Sequence, residues 1–187
     1  TEDPTAGTPS QRLNLVLADF DQDGLIDLAS VDQLLSRLFI YPNTTSAIGD
    51  TIKLESQIIL DAPSARDVDV GDINGDGRLD IIVSSVLDND VLIFDNTSSG
   101  SVSFANAEEK STTSTPRGLF VSDANGDGKV DILMTHNSRS GVPGDLSVLR
   151  NSHCFSPTIS PQNQTFCLNT PFVVRTLKTA GSSYNWQ

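Results

Sequence analysis

Three stretches of this 187-residue chain set carboxylate and amide side chains at alternate positions of a short glycine-bearing loop. They are ADFDQDGLIDLAS from Ala18, GDINGDGRLDIIV from Gly71 and SDANGDGKVDILM from Ser122, and they align without a gap. Each has the form Asp-x-Asp/Asn-x-Asp-Gly-x-x-Asp and runs into an apolar, partly β-branched segment. The first aspartates, Asp19, Asp72 and Asp123, stand 53 and 51 residues apart, which marks an internal repeat. The chemistry such a pattern serves is the binding of a hard cation. An ion of calcium size takes six to eight oxygens at about 2.3–2.6 Å, and short Asp side chains at alternate positions of a tight loop converge on one point. Glycine at position six permits the sharp reversal, and position seven supplies a backbone carbonyl, so its side chain is free to vary.

The expected ligand sets follow. The first is Asp19, Asp21, Asp23 and Asp27 with the carbonyl of Leu25; the second is Asp72, Asn74, Asp76 and Asp80 with the carbonyl of Arg78. The third is Asp123, Asn125, Asp127 and Asp131 with the carbonyl of Lys129. The first loop carries four carboxylates and the others three, which predicts tighter binding at the first. Magnesium fits less well because it dehydrates reluctantly. Turn formation by Asp, Asn and Gly explains one such loop, but not a ninth-position Asp in all three. An EF-hand loop begins alike but closes on a bidentate Glu at position twelve. Position twelve here is Ser30, Val83 and Met134, and the runs that follow read as strands rather than helices.

The elements that position these loops are therefore strands. The first unit offers Leu13–Ala18, Leu25–Val31, Arg37–Tyr41 and Thr51–Leu60; the second offers Ala65–Val70, Leu79–Val86, Val91–Phe94 and Ser101–Ala105. The third offers Gly118–Ser122, Val130–His136 and Leu146–Arg150, and each unit turns at an asparagine, Asn43, Asn96 or Asn151. Four short antiparallel strands per repeat is the pattern of a propeller blade. On these residues the units resemble FG-GAP/VCBS repeats, the calcium-loop blades of integrin-α-like β-propellers, over roughly Gln11 to Asn151. The resemblance implies that each loop joins the first and second strands of a blade and that about three Ca2+ ions are held. The Phe-Gly and Gly-Ala-Pro elements that name the family are poorly represented, which places the units nearer the bacterial VCBS-like branch.

Residues 1–10, TEDPTAGTPS, read as linker, and 11–153 as the blades. From Cys154 onward the chain has no Asp or Glu, and strands are expected at Thr158–Phe166, Phe172–Thr176 and Tyr184–Gln187. Cys167 followed by Trp186 resembles the opening of Ig-like or PKD-like modules in multidomain surface proteins of Bacteroidota, so 154–187 is expected to begin an incomplete Ig-like β-sandwich. Cys154 and Cys167 either pair with each other, or Cys167 pairs with a cysteine beyond Gln187. The expected fold class is all-β: about three four-stranded antiparallel blades with calcium loops, plus that partial sandwich. A closed propeller takes about 4–8 blades. The partners expected are accordingly the remaining blades or domains of a longer polypeptide, or neighbouring copies.

Charge narrows the function. The chain has 24 acidic and 12 basic residues and a net charge of −12, which speaks against nucleic acid and anionic membrane surfaces as partners. No apolar run approaches a membrane span, so no membrane insertion is expected. Ten of the acidic residues are loop ligands, so the acidity reads as three cation sockets rather than a generally acidic surface. The two histidines, His136 and His153, lie near strand ends, and no GxSxG, P-loop or HExxH pattern occurs, so no enzyme activity is expected. Of the sequons at Asn43, Asn96 and Asn163, the first two fall at the same turn of consecutive units and are read first as turn formers. The expected role is a calcium-binding propeller segment of a secreted, extracellular cell-surface protein, structural or adhesive, with a possible protein or glycan ligand. Two alternatives are the non-catalytic binding part of a larger secreted carbohydrate-active enzyme and a subunit of an extracellular fibre completed by neighbouring chains.

Overall fold

The structure is a computed structural model that describes residues 11–47, 49–112, 114–136, 146–151 and 173–177. The described residues are all-β and form three four-stranded antiparallel sheets. The first is the meander β1 (Arg12–Ala18), β2 (Asp27–Asp32), β3 (Arg37–Tyr41) and β4 (Ile58–Asp61). The second is β5 (Ala65–Gly71), β6 (Asp80–Ser85), β7 (Asp90–Phe94) and β8 (Glu108–Ser111). The third is β9 (Pro116–Ser122), β10 (Asp131–His136), β11 (Leu146–Arg150) and β12 (Val173–Leu177). These are propeller-like blades, and among the described residues they close neither a barrel nor a ring.

The middle sheet explains why its strands read as continuous apolar runs. Successive side chains of a strand point to opposite faces. Ile81, Val83, Leu92 and Phe94 pack with Ala18, Phe20, Ala29, Val31, Leu38 and Ile40 of the first repeat. Their neighbours Ile82, Val91 and Ile93 pack with Ile132, Met134 and Leu149 of the third. A sheet covered on both faces loses the polar alternation of a half-solvated one. The first strands β1, β5 and β9 lie side by side across the sheets. Carboxylates of β5 meet backbone donors of β9: Asp67 accepts the backbone N–H of Leu119 at 2.8 Å and Asp69 that of Val121 at 2.7 Å. Asn14 donates to Asp67 at 2.5 Å across the preceding gap.

Two fourth strands fall elsewhere than expected. In the second unit Ser101–Ala105 contributes only a bridge from Phe104 to Asn96, and the ladder strand is Glu108–Ser111. That strand is EEKS, an outer edge with three of four residues exposed, so no apolar alternation announces it. In the third unit the fourth strand is Val173–Leu177, paired from Arg150↔Val173 to Leu146↔Leu177. A strand is expected there from sequence, Phe172–Thr176, but as part of an Ig-like module. The other expected strands of that module, both cysteines and Trp186 lie outside the described residues.

Candidate metal centre

Each Asp loop is the turn between the first two strands of a sheet. The pairs Ala18↔Asp27, Gly71↔Asp80 and Ser122↔Asp131 close the three loops, so position nine is also the first residue of β2, β6 and β10. Within the loops the first Asp gathers backbone donors. Asp19 accepts the N–H groups of Asp23 (3.1 Å) and Gly24 (2.9 Å). Asp72 accepts those of Gly75, Asp76 and Gly77, and Asp123 those of Gly126, Asp127 and Gly128. The fifth Asp turns the chain at position seven: Asp23 Oδ1 accepts from Leu25 N–H, Asp76 Oδ1 from Arg78 N–H and Asp127 Oδ1 from Lys129 N–H, at 2.7, 2.9 and 3.1 Å. Positions four and six are both left-handed. They are glycines except at Gln22, whose φ is 62° and whose Nε2 donates to the carbonyl of Gly77 in the second loop at 2.8 Å.

The ninth Asp is of another kind. Asp27, Asp80 and Asp131 are 1%, 0% and 1% exposed. Asp27 Oδ2 accepts from Phe20 N–H and Oδ1 from Asn43 N–H. Asp80 accepts likewise from Ile73 and Asn96, and Asp131 Oδ1 from Asn151 N–H. These carboxylates pin the loop to the end of the third strand, and they keep lone pairs for a further partner. In the third loop Asn125 Nδ2 donates to Asp131 Oδ2 at 3.1 Å.

The first loop is where the structure gathers carboxylates. Oxygens of Asp19, Asp21 and Asp27 all lie within 4.8 Å of one another, and among the described residues this is the one such group of three. Asp21 Oδ1 is buried with no hydrogen-bond partner. Burial raises the Asp21 carboxyl, with help from the charges of Asp23 and Asp19; burial also raises Asp27, with Asp21 and Asp23 adding to it. Asp23 stays outside the group of three. In the other loops position three is Asn74 or Asn125, and a guanidinium meets the fifth carboxylate. Arg78 pairs with Asp76, and Arg150 with Asp127 at 3.2 Å. The first loop has Leu25 at position seven and so concentrates four carboxylates without that internal cation. Burial pushes Asp80 up to about 6, with Asp95 and Asp76 adding to it and the N–H donors of Asn96 and Ile73 opposing.

Two sets of residues that tie the loops to the fold carry no ligand signature. Position two is a large apolar residue in the first two loops and inserts into the next sheet's core. Phe20 is fully buried and meets Phe104 edge to face at 5.2 Å, and Ile73 is buried with Ile132 and Met134. A large apolar residue inside an otherwise polar turn was the available signal. The second set is the turn asparagines. Asn96 Nδ2 donates to Leu79 in its own sheet and to the carbonyl of Phe20 in the first loop, each at 2.9 Å. Asn151 Nδ2 donates to the carbonyl of Ile73 in the second loop at 2.7 Å. Asn43 makes the bond within its sheet, to Ile26 at 2.9 Å. Asn96 is thus a buried structural residue, not an accessible glycan acceptor; Asn163 lies outside the described residues.

His136 is buried near the end of β10. Its Nδ1 meets the carbonyl of Ser114 at 3.0 Å and its Nε2 meets the buried hydroxyl of Ser147. Both residues of this pair are buried.

The chain matches no curated protein. The family model described as the FG-GAP-like repeat matches residues 19–83, a span that opens on Asp19, takes in the whole second loop and ends at Val83 in β6, and over this span the chain is similar to that repeat.

Proposed function

We propose that this chain is a calcium-binding segment of a propeller-like protein, secreted and displayed at the cell surface, in which the metal stabilises the loops of an adhesive or structural scaffold. The observation that carries the reading is the first loop: three carboxylates gathered within 4.8 Å, one of them with a buried oxygen that no donor satisfies. Such an arrangement is costly without a cation and favourable with one. The donor set is all oxygen, which selects hard ions, and the flexible mixture of carboxylate and backbone oxygens suits Ca2+ better than Mg2+. The second and third loops repeat the scaffold with one carboxylate fewer and are the weaker sites. The extracellular setting rests on the FG-GAP-like match, a repeat typical of extracellular proteins, and on the millimolar calcium there that a moderate site needs.

The partners proposed are further sheets of the same kind, from a longer polypeptide or a neighbouring copy. Leu15 and Leu17 are each 59% exposed at positions where Val68 and Val70 of the next repeat are packed on the preceding sheet. Phe120 is 61% exposed on the far face of the third sheet. The deciding experiment is a calorimetric titration of the chain with Ca2+. Saturable binding whose tightest step is lost in Asp21→Ala supports the reading, and no binding up to several millimolar Ca2+ rejects it.

A further inference from the structure

The three ninth-position carboxylates are joined by one continuous run of hydrogen bonds. Asp27 Oδ2 accepts from Phe20 N–H at 2.9 Å, and the carbonyl of Phe20 accepts from Asn96 Nδ2 at 2.9 Å. The backbone N–H of Asn96 donates to Asp80 Oδ1 at 2.8 Å, and Asp80 Oδ2 accepts from Ile73 N–H at 2.9 Å. The carbonyl of Ile73 accepts from Asn151 Nδ2 at 2.7 Å, and Asn151 N–H donates to Asp131 Oδ1 at 2.8 Å. All six bonds are buried. Each asparagine therefore holds the ninth carboxylate of its own loop with its backbone and the second residue of the neighbouring loop with its side chain.

We propose that Asn96 and Asn151 are positioning residues that couple neighbouring loops, so that cation binding at one loop raises the affinity of the next. This deepens the calcium reading and rests on it. The physical reason is shared ordering. A cation drawn to the second loop fixes Asp80, and Asp80 fixes the Asn96 backbone. The side chain of Asn96 then holds the carbonyl of Phe20, whose N–H sits on Asp27 in the first loop. The first loop thus arrives partly ordered, and a later cation has less conformational entropy to remove. The same relation runs from the third loop to the second through Asn151, and coupling between two sites acts equally in both directions. Direct repulsion between bound dications opposes this, but the loop rims are exposed and screened over roughly 8 Å at physiological ionic strength. The middle loop belongs to both links, so its loss reaches both neighbours.

The test is hydrogen–deuterium exchange of the three loop peptides across a titration with Ca2+ alone. The chains compared are the parent, Asp76→Ala, Asn96→Ala, Asn151→Ala and the double variant Asp76→Ala/Asn96→Ala, each first shown to be folded by circular dichroism at saturating Ca2+. Asp76→Ala removes the second site. The expected result is a rise of about five-fold or more in the Ca2+ concentration that protects the first loop. Asn96→Ala is expected to produce a similar rise at the first loop, and the double variant no more than either alone. Asn151→Ala should act on the third loop in the same way. A purely structural role for Asn96 predicts instead that the effects of Asp76→Ala and Asn96→Ala add. First-loop and third-loop midpoints that stay at the parent value in Asp76→Ala overturn the coupling and leave calcium binding standing. No calcium-dependent protection in the parent overturns calcium binding itself. If Asn96→Ala does not fold, Asp76→Ala and Asn151→Ala decide the matter through the third loop.

Discussion

The side-chain amide of Asn96 reaches out of its own sheet and donates to the backbone carbonyl of Phe20, 2.9 Å away in the loop of the preceding sheet. The same nitrogen satisfies the carbonyl of Leu79, so one buried group serves two acceptors from different repeats. Asn96→Ala leaves both carbonyls unpaired, and each unsatisfied buried acceptor costs about 1–3 kcal/mol. The expected loss in a urea denaturation of the calcium-loaded chain is about 2–4 kcal/mol. A loss below about 0.5 kcal/mol is inconsistent with a buried two-acceptor role.

On the calcium reading, removal of the metal is expected to lower stability. With a dissociation constant near ~10⁻⁴ M and Ca2+ near ~1 mM, each occupied site contributes about 1.4 kcal/mol. Thermal melts in Ca2+ and in EGTA measure this, and superimposable melts exclude a stabilising metal.

Asp21→Asn gives opposite results with and without metal. In EGTA it removes the buried unpaired oxygen's charge and the repulsion with Asp23 and Asp19, so the melting temperature is expected to rise. In Ca2+ it converts the first loop to the composition of the other two, and affinity there falls about ten-fold or more. The pair of melts checks the sign, and destabilisation in EGTA contradicts the repulsive cluster.

The metal-free chain gains stability on mild acidification. Burial raises Asp80 from 3.8 to about 6, so between these values the folded state binds more protons than the unfolded chain. The contribution of this group grows as pH falls through about 6 and is complete below 3.8. Protons and Ca2+ compete for the same oxygens, so the loaded chain loses its advantage over that window. Melting temperatures in EGTA and in Ca2+, followed from about pH 7 to 5, are expected to converge. Parallel curves tell against a shared site.

Gly71, the last residue of β5, faces Val121 and Val130 of the third repeat. A Cβ there would lie 2.5 Å from Val121 Cγ1 and 3.3 Å from Val130 Cγ2. Gly71→Ala is expected to cost about 1–3 kcal/mol by overpacking, read as a lower urea midpoint with an unchanged slope. An unaltered midpoint means that the two sheets separate freely at this point.

Much of this protein was legible in its sequence because the information is local. A loop whose ligands lie within nine residues needs no distant contact to be recognised, and Leu38–Ile40, Ile81–Val83 and Val91–Phe94 declare themselves as strands by burying apolar side chains. The edge strand Glu108–Ser111 does not, because an exposed edge requires only backbone pairing, which any polar residue supplies. Nor does composition separate the ninth Asp from the first. Only the packed sheets bury Asp27, Asp80 and Asp131 and leave Asp19, Asp72 and Asp123 among loop N–H groups. The asparagines make the same point most clearly. Asn43, Asn96 and Asn151 are turn residues by sequence, and Asn96 and Asn151 become links between repeats because stacking the sheets brings a carbonyl from more than seventy residues away, at sequence separations of 76 and 78, within reach of an amide. Sequence placed the carboxylate and amide oxygens within each loop; the stacking of the sheets settled which loops touch, since that depends on buried faces meeting and not on spacing along the chain.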